Sequence, residues 1–99
     1  FLAAYKQGKE IFDSELQIRR LAEILHVNRS QLRTLTATAQ RKEAEMAAHD
    51  TASKRRAVLL EEMGDLQETV AMVETEISGI EAALEEENRH LQNLTESAR

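Results

Sequence analysis

Apolar residues in the second half of the chain advance by alternating steps of four and three. Leu59, Met63, Leu66, Val70, Val73, Ile77, Ile80, Leu84, Leu91, Leu94 and Ala98 keep this rhythm, and only Glu87 interrupts it. A mean advance of about 3.5 residues holds a narrow stripe on one side of a left-handed supercoil. In this frame Met63, Val70, Ile77, Leu84 and Leu91 occupy the first core position of each heptad (a). Leu66, Val73, Ile80, Glu87 and Leu94 occupy the second (d). Gly64 and Gly79 fall outside the seam, where each costs about 1 kcal/mol of helix propensity without opening a hole.

The first half has a seam of its own. Ile11, Ile18, Leu21, Leu25, Leu32, Leu35, Ala39 and Met46 follow heptad spacing, with Asn28 at a d position. A buried Asn fixes register at some cost in stability. Beyond Ala39 the next core slots fall on Lys42, His49, Ser53 and Arg56, and the apolar seam fails. From position a at 53 to position a at 63 is one heptad plus three residues, a stammer that overwinds a continuous coil. The spacing predicts a discontinuity near residues 47–58, dividing a segment at 1–58 from one at 59–99. Ahead of Ile11, the residues Phe1, Leu2, Tyr5 and Phe12 form an apolar cluster without clear phase. Ser14 and Gln17 have the spacing of a capping box. With Gly8 as the one breaker there, helix is expected from the start.

The predicted class is all-α, and two architectures fit. In one, each chain is a single helix of about 150 Å at ~1.5 Å per residue, paired in parallel with a second copy as a homodimer. Its seam comprises Ile18, Leu21, Leu25, Leu32, Leu35, Leu59, Met63, Leu66, Val70, Val73, Ile77, Ile80, Leu84, Leu91 and Leu94. The other is an antiparallel helical hairpin folded near Ala48–Ser53. The turn chemistry favours the rod, because AHDTAS contains neither Gly nor Pro, the usual residues of short helix–helix connections. A parallel pair would also set Glu76 against Glu81 of its partner, at a cost of only tenths of a kcal/mol. Burial of about five heptads of apolar side chains outweighs that repulsion. The parallel rod is therefore the expectation.

Composition agrees. The 99 residues include no Pro, no Cys and no Trp, with 31% charged and 3% aromatic. This is the make-up of long helices rather than of a globular core. There is no run of about 18 apolar residues to span a membrane. The chain begins at Phe1, so a segment of a longer protein is expected.

Charge changes the picture more. Residues 1–60 hold eleven Lys/Arg and seven Asp/Glu, whereas residues 61–99 hold two and eleven, so +4 and −9 give the net −5. Residues 19–56 alone hold nine cations and four acids. On the heptad frame Arg19, Arg20, Arg33, Arg41, Lys54 and Arg55 fall on one outward stripe (positions b and c), with His26 inside it. Arg29 flanks the seam, and Lys42 and Arg56 occupy failed core slots. A linear array of cations on a rigid helix suits an acidic partner. Nucleic acid fits less well, because the stretch has modest net charge and no aromatic for stacking. A membrane surface needs a wider apolar face.

The residues offer no catalytic or metal chemistry. His26, His49 and His90 are far apart in sequence, and Glu85, Glu86 and Glu87 point three ways around a helix. No Gly-rich phosphate loop is present, and the Ser and Thr residues lack a base constellation around them. An enzyme, a metal site and a cofactor are not expected. Ser53, beside Lys54, Arg55 and Arg56, is a position where a phosphate would cancel part of the cationic stripe.

The arrangement resembles the coiled-coil region of the unconventional microtubule-binding kinetochore protein of kinetoplastids. The resemblance lies in a basic coil (IRRLAEILHVNRSQLRTLTATAQRK, residues 18–42) running into an acidic one (LEEMGDLQETVAMVETEISGIEAALEEEN, residues 60–88). Ciliary kinesin stalks share similar stretches. The resemblance implies a dimeric coiled coil inside the cell, at the kinetochore and spindle or the cytoplasmic cytoskeleton. It implies binding to the acidic tails of tubulin through Arg19, Arg20, Arg33, Arg41, Lys42, Lys54, Arg55 and Arg56. The competing expectation is a purely structural rod or tether whose charges only solvate it.

Overall fold

A computed structural model describes residues 2–50 and 52–97 of the chain. Two long helices account for nearly all of them: α1, Leu2–Ala47, and α2, Lys54–Ser97. Ala, Leu, Glu, Gln and Arg fill both, and these lose little side-chain freedom in a helix. The all-α class is as expected. The expected contributions of Phe1, the Leu2 side chain and Ala98 lie outside the described residues.

The chain divides into two compact units, residues 1–27 with 77–99 and residues 28–76. In each, part of α1 lies antiparallel to part of α2. In the first unit Gln7 Nε2 donates to the Leu94 carbonyl at 3.3 Å, and Ser14 Oγ donates to Glu87 Oε1 at 2.7 Å. In the second, Lys42 pairs with Glu62, and Arg55 Nε donates to Glu45 Oε1 at 2.9 Å. The expected single continuous helix, paired in parallel along its length, is thereby corrected: the two halves of one chain pair with each other. The stammer explains why. A phase shift of three residues strains a continuous coil, but it costs nothing where the chain reverses and each helix keeps its own frame.

The seam residues themselves are those expected. In the first unit Leu25 and Ile77 are buried, and Ile11, Ile18, Leu21, Ile80, Leu84, Leu91 and Leu94 are half-buried. In the second, Leu59 and Val73 are buried, and Leu32, Leu35, Ala39, Met46, Met63, Leu66 and Val70 are half-buried. Asn28 lies half-buried in its d slot. A two-helix seam covers each core side chain from one side only, which is why most stop at half-burial. Tyr5 and Phe12 stand on the outer surface of α1, 72% and 63% exposed.

The reversal needs no glycine. Helix α1 tightens at its end, with Ala48 N donating to the Glu45 carbonyl and His49 N to the Met46 carbonyl, each three residues back. Such bonds satisfy carbonyls left open at a helix terminus. Ser53 then opens α2: its Oγ accepts from Arg55 N at 3.2 Å, and its carbonyl accepts from Ala57 N at 3.3 Å. That is an N-cap. Arg56 Nη1 donates to the His49 carbonyl at 3.2 Å, tying the two helix ends together. No described residue takes a positive φ, so the left-handed glycine cap that AHDTAS lacks is not used.

Candidate functional site

The nine expected cations separate into two groups once the helices are paired. Lys42, Arg55 and Arg56 are engaged within the second unit. Lys42, in the d slot that broke the apolar seam, reaches Glu62 on α2. Arg55 bonds Glu45, which also lies 4.0 Å from His49 Nε2. The hydrogen bond from Arg55 holds the Glu45 carboxyl below its ordinary value, and the same bond raises Arg55. Lys42 lowers Glu62 in the same way. Arg56 is spent on the His49 carbonyl. These residues belong to the hairpin apex and not to an outward stripe.

The remaining cations face solvent. In the first unit Arg19 and Arg20 are exposed and have no hydrogen-bond or ion-pair partner among the described residues. In the second, Lys54 is likewise exposed and unpartnered among them. Among the described residues Arg33 and Arg41 bond neutral hydroxyls one helical turn back: Arg33 Nη2 meets Ser30 Oγ at 3.0 Å, and Arg41 Nη2 meets Thr38 Oγ1 at 3.2 Å. Arg29 is exposed and engaged. Among the described residues, pairing with the acidic half of the chain thus leaves these five cations without a carboxylate on them. Opposing this, the first unit carries six Lys/Arg and nine Asp/Glu, and the second seven and nine, so both are net acidic. The surface is locally basic on a globally acidic body.

Two polar features escaped sequence reasoning. Ser14, noted only for its capping-box spacing, lies inside α1 and is 3% exposed, bonded to Glu87. Glu87 is the polar interruption of its seam; a facing Ser in the other seam is the signal that identifies its partner. Glu45 and Glu62 have no role in the linear pattern because their contacts exist only when the apex folds. The failed slots at Lys42, His49, Ser53 and Arg56 are the trace of that apex in the sequence.

Among the described residues no group of three or more His, Asp or Glu side chains is placed to hold a metal ion. No helix among the described residues is long and apolar enough to cross a membrane. No family model, no curated protein and no solved structure matches the chain.

Proposed function

We propose that the chain is a helical-hairpin segment that binds an acidic polymer through the outer surface of α1, with the acidic tails of tubulin as the first partner to test. Arg19, Arg20, Arg33 and Arg41, with Lys54 at the start of α2, make the contacts. The observation that carries this reading is that, among the described residues, none of the five is met by a carboxylate, although α2 supplies eleven Asp/Glu to the same chain. Their outward positions keep them away from the carboxylates across the seam that Lys42 reaches, and so leave them available to an external acidic group. Lys42, Arg55 and Arg56 favour the structural role instead and are removed from the binding set.

Because both units are net acidic, long-range attraction to an anionic polymer is weak, and contact is short-range. With a screening length of about 10 Å at 0.1 M salt, affinity falls as salt rises. Co-sedimentation with stabilised microtubules, intact and with the tubulin tails removed, tests the reading. Salt-sensitive pelleting that needs the tails, and that disappears in Arg33→Glu/Arg41→Glu, supports it. Pelleting unchanged by that reversal, or none at all by a folded hairpin, overturns it in favour of a spacer or tether. A tubulin-bearing site such as the kinetochore or spindle follows only from the first outcome.

A further inference from the structure

Contacts at the turn distinguish the bent chain from a straight one. In a continuous helix every N–H reaches the carbonyl four residues back. The His49 carbonyl would then be taken by Ser53 N, and Arg55 N would not need the Ser53 hydroxyl. Here Ser53 N donates instead to the Asp50 carbonyl at 2.9 Å, the His49 carbonyl accepts from Arg56, and Ser53 Oγ accepts from Arg55 N. Residue type does not enforce the bend. The residues between the helices include no Gly or Pro, and the described ones hold no positive φ. Ala48, Ala52 and the neighbouring side chains are all compatible with helix.

The seam contacts, in contrast, do not depend on which copy of α2 supplies them. Gln7 with Leu94, Ser14 with Glu87, Lys42 with Glu62 and Glu45 with Arg55 all pair positions disposed about one point near residue 50. An α2 from a second copy, laid antiparallel, offers the same groups at the same positions. Charge selects that arrangement. Helix α1 holds eight Lys/Arg and six Asp/Glu, a balance of +2, while α2 holds four and eleven, a balance of −7. Two α2 helices side by side repel, whereas α1 against a partner's α2 does not.

From this we infer that the hairpin has an open form in which two copies exchange α2 helices. Each chain straightens through residues 48–53, and each α1 docks on the partner's α2 through the seam described above. Exchange of identical elements is a low-cost route to a dimer, because it replaces contacts one for one. Straightening breaks the Ser53 cap and the Arg56 bond to His49 and returns the three-residue phase shift to a continuous coil, so the turn contacts and that strain together hold the balance toward the closed monomer. A longer, straighter rod thus lies within reach of the same sequence, but with antiparallel rather than parallel strands. This inference is independent of any acidic partner.

The test uses the full chain. Ser53→Ala/Arg56→Leu removes both closed-state interactions and places an apolar residue in a seam slot. Removal of one cap per chain is expected to lower the dimer dissociation constant roughly tenfold or more. Sedimentation velocity over about a hundredfold range of concentration reads this shift. Oxidation of Ser14→Cys/Glu87→Cys, made in the same background, reports which copy supplies α2: exchanged dimers become covalently linked, and closed hairpins do not. The converse variant, Asp50→Gly/Ala52→Gly, favours a bend and is expected to abolish the dimer. A Ser53→Ala/Arg56→Leu chain that stays monomeric overturns the inference, as does a dimer whose disulfides remain within single chains. Should that variant lose its helix content, the Gly pair decides: a wild-type dimer that persists in it overturns the inference equally.

Discussion

The Ser14–Glu87 pair gives the most decisive test of how the helices are arranged. Ser14 is 3% exposed, and its hydroxyl donates to the Glu87 carboxylate at 2.7 Å inside an otherwise apolar seam. A hydrogen bond to a charged group contributes about 1.5–3 kcal/mol. Glu87 is half-buried and regains water when the hydroxyl is removed, so Ser14→Ala should cost about 1–2 kcal/mol. Glu87→Leu leaves the buried hydroxyl without its acceptor, at about 1–3 kcal/mol. The new side chain offsets about 1 kcal/mol of that by partial burial. The double variant replaces both partners with apolar groups, and that exchange is close to neutral or stabilising. The cycle should therefore return a coupling of about 1–4 kcal/mol, with the double variant more stable than Glu87→Leu alone. Urea unfolding followed by far-UV circular dichroism measures it; each kcal/mol corresponds to about 4–8 °C in Tm for a chain of this size. In one continuous helix the two residues, 73 positions apart, would be separated by about 110 Å at ~1.5 Å per residue. Additivity within about 0.3–0.5 kcal/mol would then hold, and finding it would refute the antiparallel pairing.

Three further outcomes are expected. Gly8, Gly64 and Gly79 are helical, and a Cβ at each meets nothing within 4 Å; each Gly→Ala change should stabilise the chain by about 0.8–1 kcal/mol in the same urea titration. Leu59→Ala, at a wholly buried position, should cost about 2–4 kcal/mol, whereas Leu60→Ala next to it, 63% exposed, should stay within about 0.5 kcal/mol; equal effects would misplace the seam. The third concerns pH. Glu45 and Glu62 titrate below their ordinary 4.5 in the folded chain because Arg55 and Lys42 hydrogen-bond them. Their pairs therefore stabilise fully above that value and fade as pH falls through the lowered one. Wild type should exceed Glu45→Gln/Glu62→Gln in stability at neutral pH, and the gap should close once the pH has fallen below the lowered values and both carboxyls are protonated. A gap that persists there would mean the side chains act through packing instead.

The heptad frame places the described apolar side chains of the seam correctly, because burial follows period whichever helix provides the cover. Leu25, Leu59, Val73 and Ile77 would sit inside a parallel dimer and a hairpin alike. Direction was not legible from that pattern. It was written in the polar residues that the pattern rejected: Lys42 for Glu62, Ser14 for Glu87, and Arg56 for the His49 carbonyl. Lys42 and Ser14 look like faults until their partners come from the other half of the same chain, and Arg56 until the turn brings it to His49. The lack of Gly and Pro between the helices pointed the other way, because a Ser cap and an arginine can turn the chain without a left-handed residue. The cationic stripe was legible only in part. Its heptad assignment could not tell an outward Arg41 from an Arg55 committed to Glu45.

The bond from Gln7 to the Leu94 carbonyl has a mechanical consequence. Tension applied through segments beyond these two residues would act on neighbouring points of one end. The helices would then peel apart one seam pair at a time, the Gln7 contact first and Ser14–Glu87 after it. Unzipping of this kind never loads the whole seam together, so it yields at low force. A straight rod pulled from opposite ends must shear all its pairs at once. The same residues would therefore serve as a compliant release when closed and as a stiff strut when two chains are exchanged.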